Sequence, residues 1–426
     1  MVGDWFAPLC PPDAGRNLPI PFYPSSVAEL SVEPELIRWS ERFAARTRSN
    51  VGAEIAQILA LAARTDVISF AGGIPDPVTF PGRELSAILA ELAEQGDVTA
   101  FQYGPTEGLA STREWLAGRL EQLEGRRPGD GELMVTSGGI EALELLGKAF
   151  LDPGDIVAVE APTYLGAIMS VRSFEADVAG IAVDDDGLDP AALEAELAKG
   201  LRPKFLYTIP DHQNPAGVTL SAERRTAVAD LARRYGFLVV EDVAYRELTF
   251  TPDRPQAMWA AAPDVVLQIG TFSKTFMPGT RLGWAAGPAE VVAKLAWAKQ
   301  LTDQCPSGLG QRLLEEYGRR GLLDEQIRNA NELYGSRCAA LLATLEAELG
   351  ERARWTRPKG GFFSWVTLPG VDALDLAARG ADAGVAVVPG SPFYADDQGG
   401  NAVRLSFSRA HEDEIAEGVR RLAALL

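Results

Sequence analysis

Lysine is scarce in this chain of 426 residues, and one of its lysines stands apart from the rest. Lys274 lies in the segment Gly270-Thr271-Phe272-Ser273-Lys274-Thr275-Phe276-Met277-Pro278-Gly279-Thr280-Arg281-Leu282-Gly283-Trp284, among hydroxyls and apolar side chains, with Arg281 seven positions on. A lysine in apolar surroundings loses its proton more readily and can condense with a carbonyl to form an imine. The hydroxyls and the planar donor fork of an arginine suit the oxygens of a phosphate. The combination fits a phosphorylated aldehyde held covalently. Taken alone, the segment also reads as a basic surface loop.

Other residues with chemistry to offer come just after short apolar runs. Leu133–Thr136 is followed by Ser137-Gly138-Gly139-Ile140-Glu141, a glycine turn entering a helix, where free backbone N–H groups can hold phosphate. Lys204–Ile209 leads to Asp211-His212-Gln213-Asn214-Pro215, which offers Asn214 as a short donor or simply a turn. Leu238–Glu241 leads to Asp242 and Tyr245; a carboxylate there needs a partner, and a protonated pyridine nitrogen would serve, although a helix cap is an equally good reading. Tyr164 follows Ile156–Glu160 and could stack on a ring or belong to the core. Tyr103 is presented in Gln102-Tyr103-Gly104-Pro105-Thr106-Glu107-Gly108, and Arg404 sits inside the apolar run Val403–Phe407, as an edge residue or as a clamp for a carboxylate. An imine-forming lysine, an acid for a pyridine nitrogen and a phosphate turn together describe the requirements of pyridoxal 5′-phosphate (PLP).

The elements that must position these residues alternate. Seven apolar runs, Leu133–Thr136, Ile156–Glu160, Val178–Val183, Lys204–Ile209, Leu238–Glu241, Val265–Ile269 and Arg281–Ala286, are separated mostly by helix-like segments, the α/β pattern of a mainly parallel sheet. The last run comes too soon after its predecessor for a helical crossover and is expected to run antiparallel. Helical patterns are expected from Glu33 to Arg48, from Ala53 to Ala63 and across Ala289–Leu349; Val67–Phe70, Gly361–Leu368, Val385–Val388 and Ala402–Phe407 read as further strands. The expected organisation is an extended, proline-rich arm over 1–30, part of a small domain over 31–70, a large sheet domain over 71–310 and an α+β small domain over 311–426.

Composition narrows the function classes. A formal net charge of −19 disfavours nucleic acid and anionic membrane surfaces as partners. Three cysteines without a CxxC pair and two distant histidines, His212 and His411, argue against a disulfide framework and against a metal site, and point to the cytoplasm. No apolar run approaches the roughly 20 residues needed to cross a bilayer.

The order of these motifs resembles that of the aspartate aminotransferase superfamily, the fold type I PLP enzymes, and within it the class I branch with kynurenine, 2-aminoadipate and aromatic or branched-chain amino acid aminotransferases. The phrases Ser69-Phe70-Ala71-Gly72-Gly73, Gln102 to Gly108, Glu160-Ala161-Pro162-Thr163-Tyr164-Leu165-Gly166 and Pro278 to Trp284 carry the resemblance, from about residue 50 to the C-terminus. It implies the PLP-dependent transferase fold, with a large, mostly parallel seven-stranded sheet and a smaller α+β domain. It implies transfer of an amino group between an α-amino acid and a 2-oxo acid, with Lys274 as the internal aldimine and proton shuttle. Asp242 would pair with the pyridine nitrogen, and Asn214 and Tyr245 would bond the phenolate oxygen. Tyr164 would stack on the ring. Ser273, Arg281 and the amides of Gly138, Gly139 and Ile140 would hold the phosphate, and Tyr103 would reach the phosphate of a neighbouring subunit in a homodimer with shared active sites. Arg404, Asn214 and the Gly73 backbone would bind the substrate carboxylate.

The chain departs from the family pattern in three places. The turn usually written Gly-Ser-Gln-Gln is Gly138-Gly139-Ile140-Glu141 here; His212 replaces a phenylalanine; and Glu54-Ile55-Ala56-Gln57 lacks the arginine that many relatives carry, which speaks against a dicarboxylate preference. These departures keep a second reading open, a PLP lyase, decarboxylase or replacement enzyme of the same fold. A regulator with a fused winged helix is disfavoured by the short N-terminus and the acidic charge.

Overall fold

The computed structural model describes residues 38–47, 66–396 and 398–426. The arm 1–30, the expected helix Ala53–Ala63 and the Glu54–Gln57 stretch lie outside the described residues. Of the expected helix Glu33–Arg48, the described part is a single turn, Trp39–Arg42, which ends where Phe43 turns extended, and a 3-10 turn, Ala45–Thr47. The chain divides into a short N-terminal unit ending at Ala44 and a body, Ala45–Leu426.

The body is built on an eight-stranded mixed sheet. In spatial order its strands are Leu133–Thr136, Gly283–Ala286, Val266–Thr271, Leu238–Asp242, Phe205–Thr208, Ile156–Ala161, Asp177–Asp184 and Gly187–Leu188. Seven of these correspond to the seven apolar runs; the eighth, Gly187–Leu188, is a two-residue return strand too short to register as an apolar run. Gly283–Ala286 runs antiparallel to both neighbours. The strands from Val266–Thr271 to Asp177–Asp184 are mutually parallel. Strands such as Leu133–Thr136 and Phe205–Thr208 are buried at every position, as expected of a sheet covered on both faces.

Parallel order places the carboxyl ends of these strands at one edge, where ligands collect in open α/β sheets. Ser137, Tyr164, Asn214, Asp242 and Lys274 all lie at or just beyond strand ends on that edge. Because Gly283–Ala286 runs the other way, Arg281, just before it, comes to the same edge. The expected strand over Arg281–Ala286 begins only at Gly283: Arg281 has a left-handed φ of 51° after the 3-10 turn Pro278–Thr280, which takes its backbone out of the ladder.

A second, four-stranded antiparallel sheet orders Arg354–Trp355, Phe363–Thr367, Ala402–Ser406 and Val388–Pro389. The expected strand Val385–Val388 is two strands, because the chain changes sheets: Val385–Ala386 pairs in parallel with Ile68–Ser69, and Val388–Pro389 pairs with Ala402–Ser406. The helical stretch after Ala289 resolves into Ala289–Gln300, Gly308–Arg319 and Leu322–Glu348. One hydrophobic core runs through both sheets, from Leu145 and Val240 to Phe362, Val403 and Ile415.

The loop that carries Asn214 rests on buried charge. Asp211 accepts from Arg225 at 2.8 Å and from Arg246 at 2.8 Å, while Arg246 forks onto Glu124 at 2.8 and 2.6 Å. All four side chains are buried. The neighbouring guanidinium groups hold the Asp211 carboxyl far below the usual range against the opposing effect of burial. Removing one partner of such a network leaves an uncompensated charge. Arg246→Met is therefore expected to cost about 3–5 kcal/mol of unfolding free energy. Urea denaturation of the two proteins checks it, and a loss no larger than that of a surface substitution would refute the account.

Candidate active site

At the carboxyl edge of the large sheet lies a cavity of about 380 Å³. Its lining includes Gly73, Gly139, Ile140, Tyr164, Asn214, Asp242, Tyr245, Ser273, Lys274, Arg281 and Arg404 from among the residues singled out in the sequence. Gly138 is one step behind the wall, against Arg281. Tyr103 is not brought to the cavity by this chain; it is 78% exposed on the surface.

Lys274 reaches across to the loop before the second sheet, and its ammonium donates to the Gly73 carbonyl at 2.8 Å. Burial, reinforced by the Arg404 charge, pulls the amine down to about 8. Asp242 accepts from the Ala244 amide at 3.0 Å and from the Tyr207 hydroxyl at 2.8 Å. Its carboxyl is pushed up by burial, with Tyr207, Ala244 and the Lys274 charge working against that rise. The Tyr245 hydroxyl is pushed up by burial, and Asn214 beside it favours the ionised form.

Arg281 and the glycine turn form one end of the cavity, with donors of the kind an anion needs. Helix Gly139–Phe150 begins here, with Gly138 at its N-cap in a conformation (φ 95°) that L side chains rarely adopt; a Cβ there would stand 2.6 Å from an Arg281 nitrogen. Arg281 donates to Ser273 Oγ at 3.2 Å and approaches the Ser137 carbonyl at 3.4 Å.

Arg404 lies in the strand Ala402–Ser406 and is buried. It donates to Asn214 Oδ1 at 3.0 Å and to the Ala71 carbonyl at 2.7 Å, with its guanidinium carbon 4.3 Å from the centre of the Phe363 ring and 4.9 Å from that of Phe393. Its Nε is buried without a hydrogen-bond partner, and none of the ion pairs among the described residues includes it. Burial pulls this guanidinium down to about 10. A buried cation without an anion is costly, so the site is built to receive one.

Sequence reasoning missed Tyr207, Phe363 and Phe393. Tyr207 sits inside a buried apolar run and looks like core; its one signal is that a buried phenol must find a partner for its hydroxyl. The two phenylalanines had no polar atom to mark them.

His212, the replacement for a family phenylalanine, is outside the cavity lining. Its φ is 51°, its Nδ1 lies 3.3 Å from Thr219 Oγ1, and its Nε2 stands 2.3 Å from where a Cβ on Gly360 would be. It therefore fills the space left by that glycine. Burial first, then the charges of Arg225, Arg246 and Arg254 against that of Asp211, bring it down to about 4.

The residues present fit PLP. The cavity is of cofactor size. It offers an amine with a lowered pKa, a deep carboxylate, a phenol and an amide side by side, and a helix N-terminus with an arginine at one end. Among the described residues no cluster of His, Cys, Asp or Glu could hold a metal ion.

Comparison with known proteins agrees. The family model "Aminotransferase class I and II" matches residues 66–422. The chain is 38% identical over 399 residues to aromatic-amino-acid aminotransferase 1 of Thermococcus litoralis, covering 92% of this chain and 95% of that one. It superposes with a TM-score of 0.87 on the kynurenine aminotransferase of Pyrococcus horikoshii, solved with PMP, at 39% identity and with 91% and 97% of the two chains covered. With the α-aminoadipate aminotransferase of Thermus thermophilus, solved with N-(5′-phosphopyridoxyl)-L-leucine, the TM-score is 0.84 at 38% identity, covering 91% of this chain and 98% of the other.

The histidine generates a pH prediction. Its pKa is lowered on folding, so the unfolded chain binds the proton more tightly and stability is lost as pH falls from about 6.5 to about 4. His212→Phe removes that contribution. As pH falls across that window, the variant's unfolding free energy relative to wild type is expected to rise by up to about 3 kcal/mol, and to stay level above it. Chemical denaturation at several pH values reads the difference, and a constant offset at every pH would refute the depressed pKa.

Proposed function

The chain belongs to the class I and II aminotransferases, and on that footing we propose how its own residues carry the reaction. It is a PLP-dependent aminotransferase that moves an amino group from an α-amino acid to a 2-oxo acid. When bound, PLP supplies an aldehyde that takes up the amine and a ring that stores the electron pair released at Cα.

Lys274 is the residue that holds the aldehyde and then, as a free amine, moves the Cα proton. Its lowered pKa leaves an appreciable fraction unprotonated near neutrality, as a base requires. Asp242 holds the proton of the ring nitrogen, with Tyr207 and Ala244 fixing its two oxygens. Asn214 and Tyr245 hold the ring hydroxyl, and Tyr164 covers the ring face. Ser273, Arg281 and the amides of Gly138, Gly139 and Ile140 hold the phosphate, with Tyr103 serving the phosphate of a second copy in a homodimer. The exposed apolar side chains of Val98, Phe101 and Tyr103 support that assembly. Arg404 orients the substrate through its α-carboxylate, with Asn214 and Gly73 beside it. The observation that carries this reading is Arg404 itself, a buried guanidinium in a ligand cavity with no carboxylate partner among the described residues. Among the described residues no helix is long and apolar enough to cross a membrane. The sparse cysteines favour the cytoplasm, and the charge of −19 disfavours nucleic acid as a partner.

The cavity also bears on the substrate side chain. Lys274, Arg281 and Arg404 are its only cations among the described residues, and each already has a task; Ile74, Leu165, Ile209, Phe363 and Phe393 are apolar. A second substrate carboxylate would be buried unpaired. Apolar and aromatic amino acids are the substrates we assign.

Wild type with PLP is expected to absorb at the violet edge of the visible, to lose that band on adding phenylalanine or leucine with release of the 2-oxo acid, and to recover it on adding another 2-oxo acid. Lys274→Ala is expected to do none of this, and release of CO2 or ammonia without recovery would overturn the transfer reading. Across a panel of amino acids, kcat/KM for phenylalanine or leucine is expected to exceed that for 2-aminoadipate by about tenfold or more. The reverse order would overturn the side-chain assignment while leaving the transfer chemistry in place.

A further inference from the structure

Beside the phosphate turn sits a partly buried ion cluster that takes no part in the chemistry at the lysine or the ring. Lys299, near the end of helix Ala289–Gln300, is fully buried. Its ammonium lies 2.8 and 2.9 Å from the two Glu141 oxygens, 2.8 and 2.7 Å from those of Asp303, and 3.3 Å from Ser137 Oγ. Both carboxylates also hold Ser137. Glu141 Oε2 accepts from the Ser137 amide at 2.6 Å, and Asp303 Oδ2 accepts from its hydroxyl at 2.6 Å. The Ser137 carbonyl is the one that Arg281 approaches. Every polar group of the residue that leads into Gly138-Gly139-Ile140 is thus fixed, and three of the four contacting side chains belong to the cluster.

The charge here is unusual. Glu141 is in the first turn of the helix whose N-terminus would hold the phosphate, at the position where the family turn carries a neutral glutamine. A carboxylate in that turn is itself drawn to free N–H groups and repels a second anion. Left alone it would compete with the phosphate.

We propose that Lys299 is a positioning residue for the cofactor phosphate: it draws the Glu141 and Asp303 carboxylates to the side of the turn away from the cavity, which keeps the amides of Gly138, Gly139 and Ile140 and the Arg281 fork available. The proposal rests on PLP as the cofactor. It makes Lys299 and Glu141 a matched pair, so that the lysine is needed because the acid is there.

The test uses the full chain stripped of cofactor and two ligands, PLP and pyridoxine 5′-phosphate. The second has the same phosphate but no aldehyde, so it binds without Lys274 chemistry. Lys299→Met is expected to weaken both about tenfold or more, since it frees two carboxylates beside the turn. Glu141→Gln alone is expected to tighten both a few-fold, and the double variant to return to within about threefold of wild type. Thermal unfolding of the cofactor-free proteins separates a folding defect from a binding one. A folded Lys299→Met that binds both ligands as wild type does would overturn the proposal, as would a double variant as weak as Lys299→Met, or a loss seen with PLP alone. Should Lys299→Met not fold, Glu141→Gln decides: unchanged or weaker binding of pyridoxine 5′-phosphate overturns it. A wild type that binds neither ligand overturns the cofactor reading as well, which keeps the two failures apart.

Discussion

The cavity at the sheet edge holds more positive charge than negative. Among the described residues, three cationic side chains, Lys274, Arg281 and Arg404, line it with a single carboxylate, Asp242. In a low-dielectric pocket such an imbalance is expensive. It is tolerable in a protein whose ligands bring the missing anions, as the phosphate of PLP and the carboxylate of an amino acid would. The structure near the site moderates that imbalance. Burial lowers the affinity of Lys274 and Arg404 for their protons, and the hydrogen bonds to Asp242 hold its carboxylate against the same burial.

The supports are themselves charged, and each is balanced away from the cavity. Asp211 with Arg225 and Arg246 anchors the start of the loop that carries Asn214. One residue before Asn214, Gln213 donates to Glu160 at 2.9 Å and to the Pro162 carbonyl at 2.7 Å, which ties the loop to the strand end that carries Tyr164. Glu160 is pushed up to about 7 by burial against three donors. Charge that is paired serves as scaffold in this fold; charge left unpaired is aimed at ligand.

Much of this was legible in the sequence because the architecture is periodic. A buried parallel strand is an apolar run, and its carboxyl end opens into a loop at the ligand edge. Asp242, Asn214, Tyr164 and Lys274 could therefore be singled out by their place after such runs. The features that could not be read are of two kinds. Some residues have an ordinary local context and acquire a role only through distant contacts. Tyr207 looks like core until Asp242 is seen beside it, and Lys299 looks like a helix surface lysine until Glu141, 158 positions away, is folded against it. Others depend on short-range geometry: Arg281 reads as the start of a strand, yet its left-handed backbone lifts it out, and Gly187–Leu188 is too brief for any period to show. Tyr103 stands exposed, outside the cavity lining formed by the described residues.

The segment from Ile68 to Gly73 has a mechanical consequence. It begins as a strand beside Val385–Ala386, passes Phe70, whose carbonyl accepts from the Ser406 amide at 2.9 Å, then Ala71, whose carbonyl accepts from Arg404, and ends at Gly73, whose carbonyl accepts from Lys274. It is a ribbon stitched to one sheet along its length and to the other at its tip. Arg404 and Lys274 thus rest on carbonyls two residues apart on one ribbon. The spacing between the guanidinium and the amine is set by a short span of peptide rather than by a long path through the core.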